Sequence, residues 1–405
     1  MATSVSSSPR DGALGQARTT TPGRVRSLDG LRGIAALIVV FNHVGRAALT
    51  WYFPPGGPRP PISSWQWWLT ETPLHVLWAG PEMVIVFFVL SGYVLALPAR
   101  SRGREWFTPR YYPRRLVRLY LPAWGALLFA AAVNATRPTH AVAGMGIWLN
   151  HFAVHASLPI GLRAATLLSN ADPSCNFTTV LWSMRWEVLF SLVLPLAIIP
   201  VIDTRARPRA AAALALTCLA VTFLIPGINN LATAGHYLAL FELGALLAFH
   251  SHLLPRIPSS ARLISGLAIG VCVLLLTLTY WTVSDDVSTS TGWPALGVVV
   301  GAVMAVWLAY GCEIVTRLLS SRPATWLGSR SYSLYLVHQP LVITIAFALG
   351  RGTTVLELLA ASVPPSLLAA ELFWRGVERP AIALSHRVAG PRLGRTPLIL
   401  EAQPD

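Results

Sequence analysis

Long apolar segments recur along most of this chain and set the strongest limit on its fold. Many run for about twenty residues, the length a helix needs to cross roughly 30 Å of hydrocarbon. Charged residues make up 12% of the sequence, whereas an average soluble domain contains about a quarter. The sequence therefore predicts an all-α, polytopic helical bundle in a membrane.

We predict about ten transmembrane helices. The predicted spans are 30–49, 76–98, 119–136, 178–201, 210–227, 236–250, 263–283, 294–313, 331–349 and 355–377. No soluble domain is expected after the last span. Residues 1–26 are predicted to be a disordered tail, 27–380 the membrane domain, and 381–405 a second tail.

The basic residues define the expected orientation of the spans. All of them are arginine, and about 23 lie in alternate connections and the two tails, with seven in the segment 100–118. About five arginines lie in the other connections. Because positive charge favours the cytoplasmic side, both termini are predicted to be cytoplasmic, in a multi-pass protein of the plasma membrane, most simply a bacterial inner membrane. This placement accounts for the net charge of +14 without a nucleic-acid partner.

The first predicted span carries two groups that hydrocarbon penalises, Arg32 and His43. Eleven residues amount to three helical turns plus about 20°, so both side chains face the same way, about 16 Å apart along the axis. Ionisable groups at such depth usually face a bundle interior or a wet cavity and mark function. The alternative is a structural hydrogen bond between helices.

Two other spans place polar side chains on shared faces. Ser183 and Glu187 are four residues apart in the fourth predicted span, and Tyr335 and His338 are three apart in the ninth. Residues at these spacings lie on one side of a helix. Exposure of a charged group to lipid would cost about 2.5–3.5 kcal/mol, so a shared polar interior is expected.

Seven sequence blocks between about residues 28 and 380 resemble the integral-membrane acyltransferase-3 family, in the order that family has them. The blocks are "LDGLRGIAALIVVFNH", "FFVLSGYVLA", "YYPRRLVRLYLP", "LWSMRWEVLF", "FELGALLAF", "WLGSRSYSLYLVHQPLV" and "VERP". The resemblance implies an enzyme that moves an acyl group from cytoplasmic acyl-CoA to a hydroxyl of a sugar. Acyl-CoA would be a substrate, and no bound cofactor is expected.

The implied donor assigns roles to the arginines. Arginine binds phosphate by charge and by a bidentate fork, so Arg32, Arg114, Arg115 and Arg118 are candidates for binding the CoA phosphates. Topology and anionic lipid alone are the alternative for the three that lie in the segment 100–118.

On the same implied chemistry, His43 is the candidate general base, and direct transfer and an acyl-histidine intermediate both remain open. Glu187 would orient an imidazole, or form an intramembrane ion pair instead. Ser183, Tyr335 and His338 would position the acceptor or stabilise the oxyanion, with structural bonding between helices as the alternative.

The acceptor is expected to be a macrolide or other secondary-metabolite glycoside, or a cell-envelope polysaccharide. No metal is expected, because His151 and His155 supply only two imidazoles. The rival function is a transporter or flippase of a glycan or drug, which buried charges would also suit. The sequence does not indicate the oligomeric state.

Overall fold

The structure, a computed structural model, describes residues 25–48, 61–153, 157–168, 178–225, 231–279 and 292–388. Helices dominate these residues. Of the predicted tails 1–26 and 381–405, the parts 1–24 and 389–405 lie outside the described residues. The longer helices are α1 (Arg26–Ala48), α2 (Gly80–Arg102), α3 (Tyr111–Asn134), α4 (Leu158–Ala165), α5 (Leu181–Asp203), α6 (Pro208–Leu224), α7 (Leu231–His250), α8 (Arg262–Leu276), α9 (Trp293–Gly311), α10 (Arg322–Leu349), α11 (Val355–Phe373) and α12 (Arg379–Val388).

The lengths of these helices match a membrane protein. Among the described residues, seven helical segments are long and apolar enough to cross a membrane, and they contain α1, α2, α3, α5, α9, α10 and α11. The other three predicted spans overlap α6, α7 and α8, which do not belong to that group, and α6 and α8 have only 17 and 15 residues. The all-α architecture is confirmed; ten spans and cytoplasmic termini stay predictions.

The segment 100–118 was expected to be a loop, and much of it is helical instead. Helix α2 continues to Arg102 and α3 already begins at Tyr111. The arginines of α3 therefore lie on its first two turns rather than on a flexible connection. The apolar pattern failed here because arginine is a good helix former, and its long side chain keeps the charged group away from apolar surroundings while the backbone stays helical.

We call the side of the bundle where α1 begins the arginine-rich end and the other side the opposite end. Helices α2 and α5 finish at the arginine-rich end, where Arg104 forms an exposed ion pair with Asp203 at 2.8 Å. Helix α10 begins there, and Gly350 follows it at the opposite end. The direction of each helix thus fixes the end at which its polar residues lie.

Helices α1 and α10 run parallel and touch backbone to backbone. A Cβ on Gly33 would come within 2.5 Å of the Gly328 nitrogen, and one on Gly328 within 2.0 Å of the Asp29 carbonyl oxygen. Small residues permit this close approach between membrane helices. Ten residues further along both helices, His43 meets His338 in the same register.

The apolar core has two main clusters. One contains buried residues of α2, α5, α7 and α9, where the Phe190 and Phe241 rings stack at 3.7 Å between centroids. The other joins α3, α10 and α11. Helix α1 contributes to both clusters. Its polar side chains therefore lie within the bundle and not on its rim.

A π-helical turn, Trp374–Glu378, joins α11 to α12. Such a turn holds one residue more than an α-turn and changes the direction of the side chains that follow, and it is frequent at functional sites. Glu378 is buried here and accepts a hydrogen bond from Ser333 at 2.5 Å. Helix α12 then continues to Val388, so the first residues of the predicted tail 381–405 are helical.

Candidate active site

Two imidazoles meet inside the bundle. The Nδ1 atom of His43 lies 2.8 Å from Nε2 of His338. His338 is completely buried, whereas His43 is only half-buried and so retains accessible surface. The structure thus brings together two of the residues that the sequence singled out, on helices whose register is set by the glycine contact.

The partner of the second ring nitrogen determines which atoms carry protons. His338 Nδ1 lies 2.8 Å from the carbonyl oxygen of Leu334, which can only accept a hydrogen bond. In neutral His338 the proton is therefore on Nδ1, and Nε2 is an acceptor. His43 must then donate from Nδ1, which leaves its Nε2 with a free lone pair. Such a nitrogen can accept a proton from a substrate hydroxyl.

An aromatic ring borders His43. The Trp148 ring stacks on the His43 ring with 5.8 Å between centroids and 20° between planes. Trp148 belongs to a one-turn helix, Ile147–Asn150, in the segment between α3 and α4. Its half-buried side chain supplies an apolar surface next to the imidazole, and the lone tryptophan in that segment was the available signal.

The four candidate donor-binding arginines converge at the arginine-rich end. Arg118 lies close enough to Arg32, Arg114 and Arg115 to interact with them electrostatically, and Glu378 adjoins the same group. Within the described part of the chain, neither Arg32 nor Arg118 makes a hydrogen bond or an ion pair within 4 Å. Two such guanidinium groups near each other favour an anionic ligand.

Glu187 does not contact either imidazole. Its carboxylate accepts a hydrogen bond from Arg115, which also donates from Nε to Ser191 Oγ at 2.8 Å. Both charged side chains are mostly buried, at 13% and 17% exposure. Each compensates the buried charge of the other, so loss of either would leave an unpaired charge inside the bundle. The structure therefore does not bring Glu187 to an imidazole, because α5 turns it toward α3. The arrangement matches the alternative of an ion pair within the bundle, with Arg115 as the partner.

Ser183 and Tyr335 form a second buried polar pair. Their hydroxyl oxygens are 2.7 Å apart, and Ser183 also donates to the Val180 carbonyl at 3.1 Å. The Tyr335 ring centroid is 6.1 Å from that of His338. The hydroxyl pair therefore borders the histidine pair, and both belong to one polar interior between α5 and α10.

One residue of this interior was missed. Gln339 is fully buried, and its Oε1 accepts hydrogen bonds from Thr178 Oγ1 at 2.9 Å and from the Thr179 backbone at 2.7 Å. It fastens the start of α5 to α10 beside His338. A second polar side chain directly after a histidine in an apolar span was the signal that identifies it.

No metal-binding group is evident in the residues that the structure describes, where His, Cys, Asp and Glu form no cluster of three or more. His151 is exposed, and its ring contacts Phe152. His155, the other imidazole considered from the sequence, falls outside the described residues.

Comparison with known proteins identifies the family. A family model described as an acyltransferase domain matches residues 25–371. The chain belongs to this acyltransferase-3 family. The sequence prediction is confirmed, and the matched region contains both histidines and all four arginines of the site.

Named relatives of the chain are O-acetyltransferases. It is 26% identical to a putative peptidoglycan O-acetyltransferase, YrhL, of Bacillus subtilis, over 88% of this chain and 54% of the relative. It is 27% identical to the O-acetyltransferase PaAT-1 of Phomopsis amygdali, over 80% and 73%, and 24% identical to the peptidoglycan O-acetyltransferase OatA of Listeria monocytogenes, over 90% and 57%.

The chain spans about half the length of the two peptidoglycan enzymes that it matches. No solved structure matches it. The family assignment therefore rests on the sequence match, and the arrangement of the side chains comes from the fold described above.

Proposed function

We propose that this protein is a membrane O-acyltransferase that moves an acyl group from acyl-CoA to a hydroxyl of a sugar-containing acceptor. The observation that carries the proposal is the His43–His338 pair, which leaves a basic nitrogen inside the bundle. The family match and the names of the relatives support acyl transfer. Acyl-CoA as donor rests on the arginines at the other end of α1.

The donor would enter from the arginine-rich end. Arg32 and Arg118 offer the phosphates two guanidinium groups that have no partner among the described residues, and Arg114 adds a third positive charge nearby. Arg115 is held by Glu187 and Ser191, so it would shape the site rather than move to the ligand. An extended pantetheine arm is of the same order as the rise of about 16 Å between Arg32 and His43.

At the other end of that arm, His43 would act as general base. Its Nε2 removes the proton of the acceptor hydroxyl while the oxygen attacks the thioester carbonyl carbon. The carbon–sulfur bond then breaks, and the imidazolium returns the proton to the CoA thiolate. Charge and atoms balance, with the acyl ester and free CoA as products. Because Ser183 donates to the Val180 carbonyl, the Tyr335 hydroxyl donates to Ser183 in this structure. As the proposed oxyanion donor, Tyr335 would rotate this proton from Ser183 to the oxyanion during the reaction.

Replacing Arg32 by alanine is expected to raise KM for acetyl-CoA about tenfold or more, with kcat within about twofold, because a hydrogen bond to a charged group contributes about 1.5–3 kcal/mol. Steady-state kinetics with labelled acetyl-CoA provide the measurement. Arg104→Ala is the matched control, since it removes an exposed arginine from the same end. A fall in kcat at unchanged donor affinity would argue against phosphate binding.

His338 is proposed to position His43 by accepting its Nδ1 proton. His338→Leu removes the acceptor, so kcat should fall about 10- to 100-fold with KM for acetyl-CoA unchanged, whereas His338→Gln offers an amide oxygen and should recover part of the rate. The pH–rate profile should also move in the leucine variant, because either ring nitrogen of His43 can then carry the proton. Equal loss in both variants with an unmoved profile would indicate a purely structural role.

The acceptor class follows from the relatives and is itself a proposal. OatA is named a peptidoglycan O-acetyltransferase and YrhL a putative one, which supports a cell-envelope polysaccharide. A secondary-metabolite glycoside such as a macrolide is the other candidate. Mass spectrometry of envelope glycans and small metabolites from a deletion strain distinguishes them, because only the true acceptor loses its acyl group.

The decisive test of the function uses the purified full chain in detergent with labelled acetyl-CoA and candidate acceptors. If CoA is released only when an acceptor is present, and an acylated product forms, the proposed acyltransferase activity is supported. A transporter or flippase needs two compartments and would form no product in detergent. Substrate movement in vesicles without any acylation would overturn the proposal.

A further inference from the structure

A partly open cavity of about 50 Å³ lies at the opposite end of the bundle, and we call it the vestibule. Its wall includes Ala47 of α1, Ala346 of α10 and a stretch of the connection after α10, Gly350–Thr353. This volume holds a few water molecules at most. A sugar ring would therefore rest at the rim, with only a small substituent inside.

The vestibule lies about one helical turn from His43, the proposed general base. Ala47 lies one helical turn after His43 on α1, and Leu149, which lines the vestibule, directly follows Trp148. Trp148 is stacked on the His43 ring. His43 keeps accessible surface, and an acceptor that entered by the vestibule would approach it from the end remote from the arginine cluster.

One wall of the vestibule is held in a fixed shape. Asn150 accepts a hydrogen bond from the Val142 backbone at 2.9 Å and donates to the carbonyls of Val142 and Met145 at 3.2 and 3.1 Å. Gly144, within the loop that this creates, has a φ of +80°, which favours glycine. The loop is thus a preformed surface.

Arg351 lies across that loop. A Cβ on Gly144 would come within 2.3 Å of Arg351 Cδ, so the arginine stem rests directly on the glycine. The Arg351 side chain is exposed at the rim, and among the described residues no carboxylate is paired with it. Glu357, the nearest acidic residue along the chain, is already bound to Thr354 in a capping box.

We propose that Arg351 binds an anionic group, a carboxylate or a phosphate ester, on the saccharide acceptor while its hydroxyl is directed through the vestibule toward His43. The proposal rests on the acyl transfer proposed above. The stem of Arg351 rests on Gly144 and its side chain is exposed. Its guanidinium can therefore offer two parallel N–H donors, which match the oxygens of either anion. Neutral acceptors lack this contact and would bind less well.

The first test measures charge at the rim without an acyl donor, so its result does not depend on the proposed acyl transfer. Thr353→Cys serves as reporter in a Cys175→Ser background, and Ala47→Cys is a second, deeper reporter; Cys218, Cys272 and Cys312 are buried. Thiol modification rates are compared for the anionic 2-sulfonatoethyl and the cationic 2-(trimethylammonium)ethyl methanethiosulfonates. Arg351→Gln should lower the anion-to-cation rate ratio about tenfold, as one charge within about 6 Å would.

Arg163→Gln is the matched control, since it removes an exposed arginine of α4 that does not line the vestibule. The rate ratio should be unchanged in that variant. A ratio that is the same with and without Arg351, or that falls equally in the control, would overturn the proposal and leave Arg351 as a contact for lipid headgroups.

The second test uses acceptor pairs that differ in one anionic group, with acetyl-CoA and the purified chain. N-acetylmuramic acid is compared with its methyl ester, and N-acetylglucosamine 6-phosphate with N-acetylglucosamine, so the two pairs separate carboxylate from phosphate. The charged member of one pair should have about tenfold higher kcat/KM, and Arg351→Gln should abolish the preference. A preference that persists in the variant would contradict the assignment.

Discussion

Replacing His43 by alanine should lower kcat for acyl transfer by about 10²- to 10⁴-fold, the range that a general base contributes. The reason is structural: its Nε2 has a free lone pair, because Nδ1 is committed to His338. Purified protein and labelled acetyl-CoA provide the measurement, with the folded state checked by size-exclusion chromatography. KM for acetyl-CoA should change little, since the arginine-rich end is intact.

His151→Ala is the control for this experiment. His151 also follows the Trp148 helix but is exposed and makes no contact with the histidine pair, so its loss should leave kcat within about twofold. Turnover close to wild type in the folded His43→Ala protein would remove His43 from the mechanism, whatever happened in the control.

Gly328→Ala should destabilise the protein and separate the two histidines. The added methyl group would stand 2.0 Å from the Asp29 carbonyl oxygen, a backbone atom that cannot rotate away. Overpacking of this kind typically costs about 1–3 kcal/mol and moves the backbone. Helix α1 must shift away from α10, so the 2.8 Å contact between His43 and His338 lengthens and kcat falls as well.

The matched control is Gly266→Ala on α8, where a Cβ would meet nothing within 4 Å. Because alanine favours a helix over glycine, that variant should be as stable as the parent or more so. Thermal unfolding in detergent and acyl transfer are measured on both variants. If the two alanine substitutions had the same effect, the close packing of α1 on α10 would not support the site.

The sequence predicted individual helices correctly where the periodicity of residues along one helix determines which side chains share a face. Arg32 and His43 were placed on one face of one helix, and α1 runs unbroken from Arg26 to Ala48 with both side chains half-buried. The start of α3 was placed eight residues too late, since arginines interrupt an apolar pattern without interrupting a helix. Apolar patterns locate helices well and their charged ends poorly.

The contacts that the polar side chains make with other helices could not be predicted from the periodicity of the sequence. Glu187 was expected beside an imidazole and instead holds Arg115, 72 positions earlier in the chain. His43 contacts His338 across 295 positions. Periodicity gives the face on which a side chain lies but not the helix that will cover that face.

The sequence by itself determined that this chain forms apolar helices, that Arg32 and His43 share a face, and that its ordered motifs belong to the acyltransferase-3 family. Those properties follow from the order of residues along one helix or one motif. Only the tertiary structure decided that His338 fixes the protonation of His43, that Glu187 serves an arginine, and that Arg351 rests on Gly144 above the vestibule. These contacts arise where helices and loops distant in sequence approach closely. Between α1 and α10, and at Gly144, a glycine permits that approach.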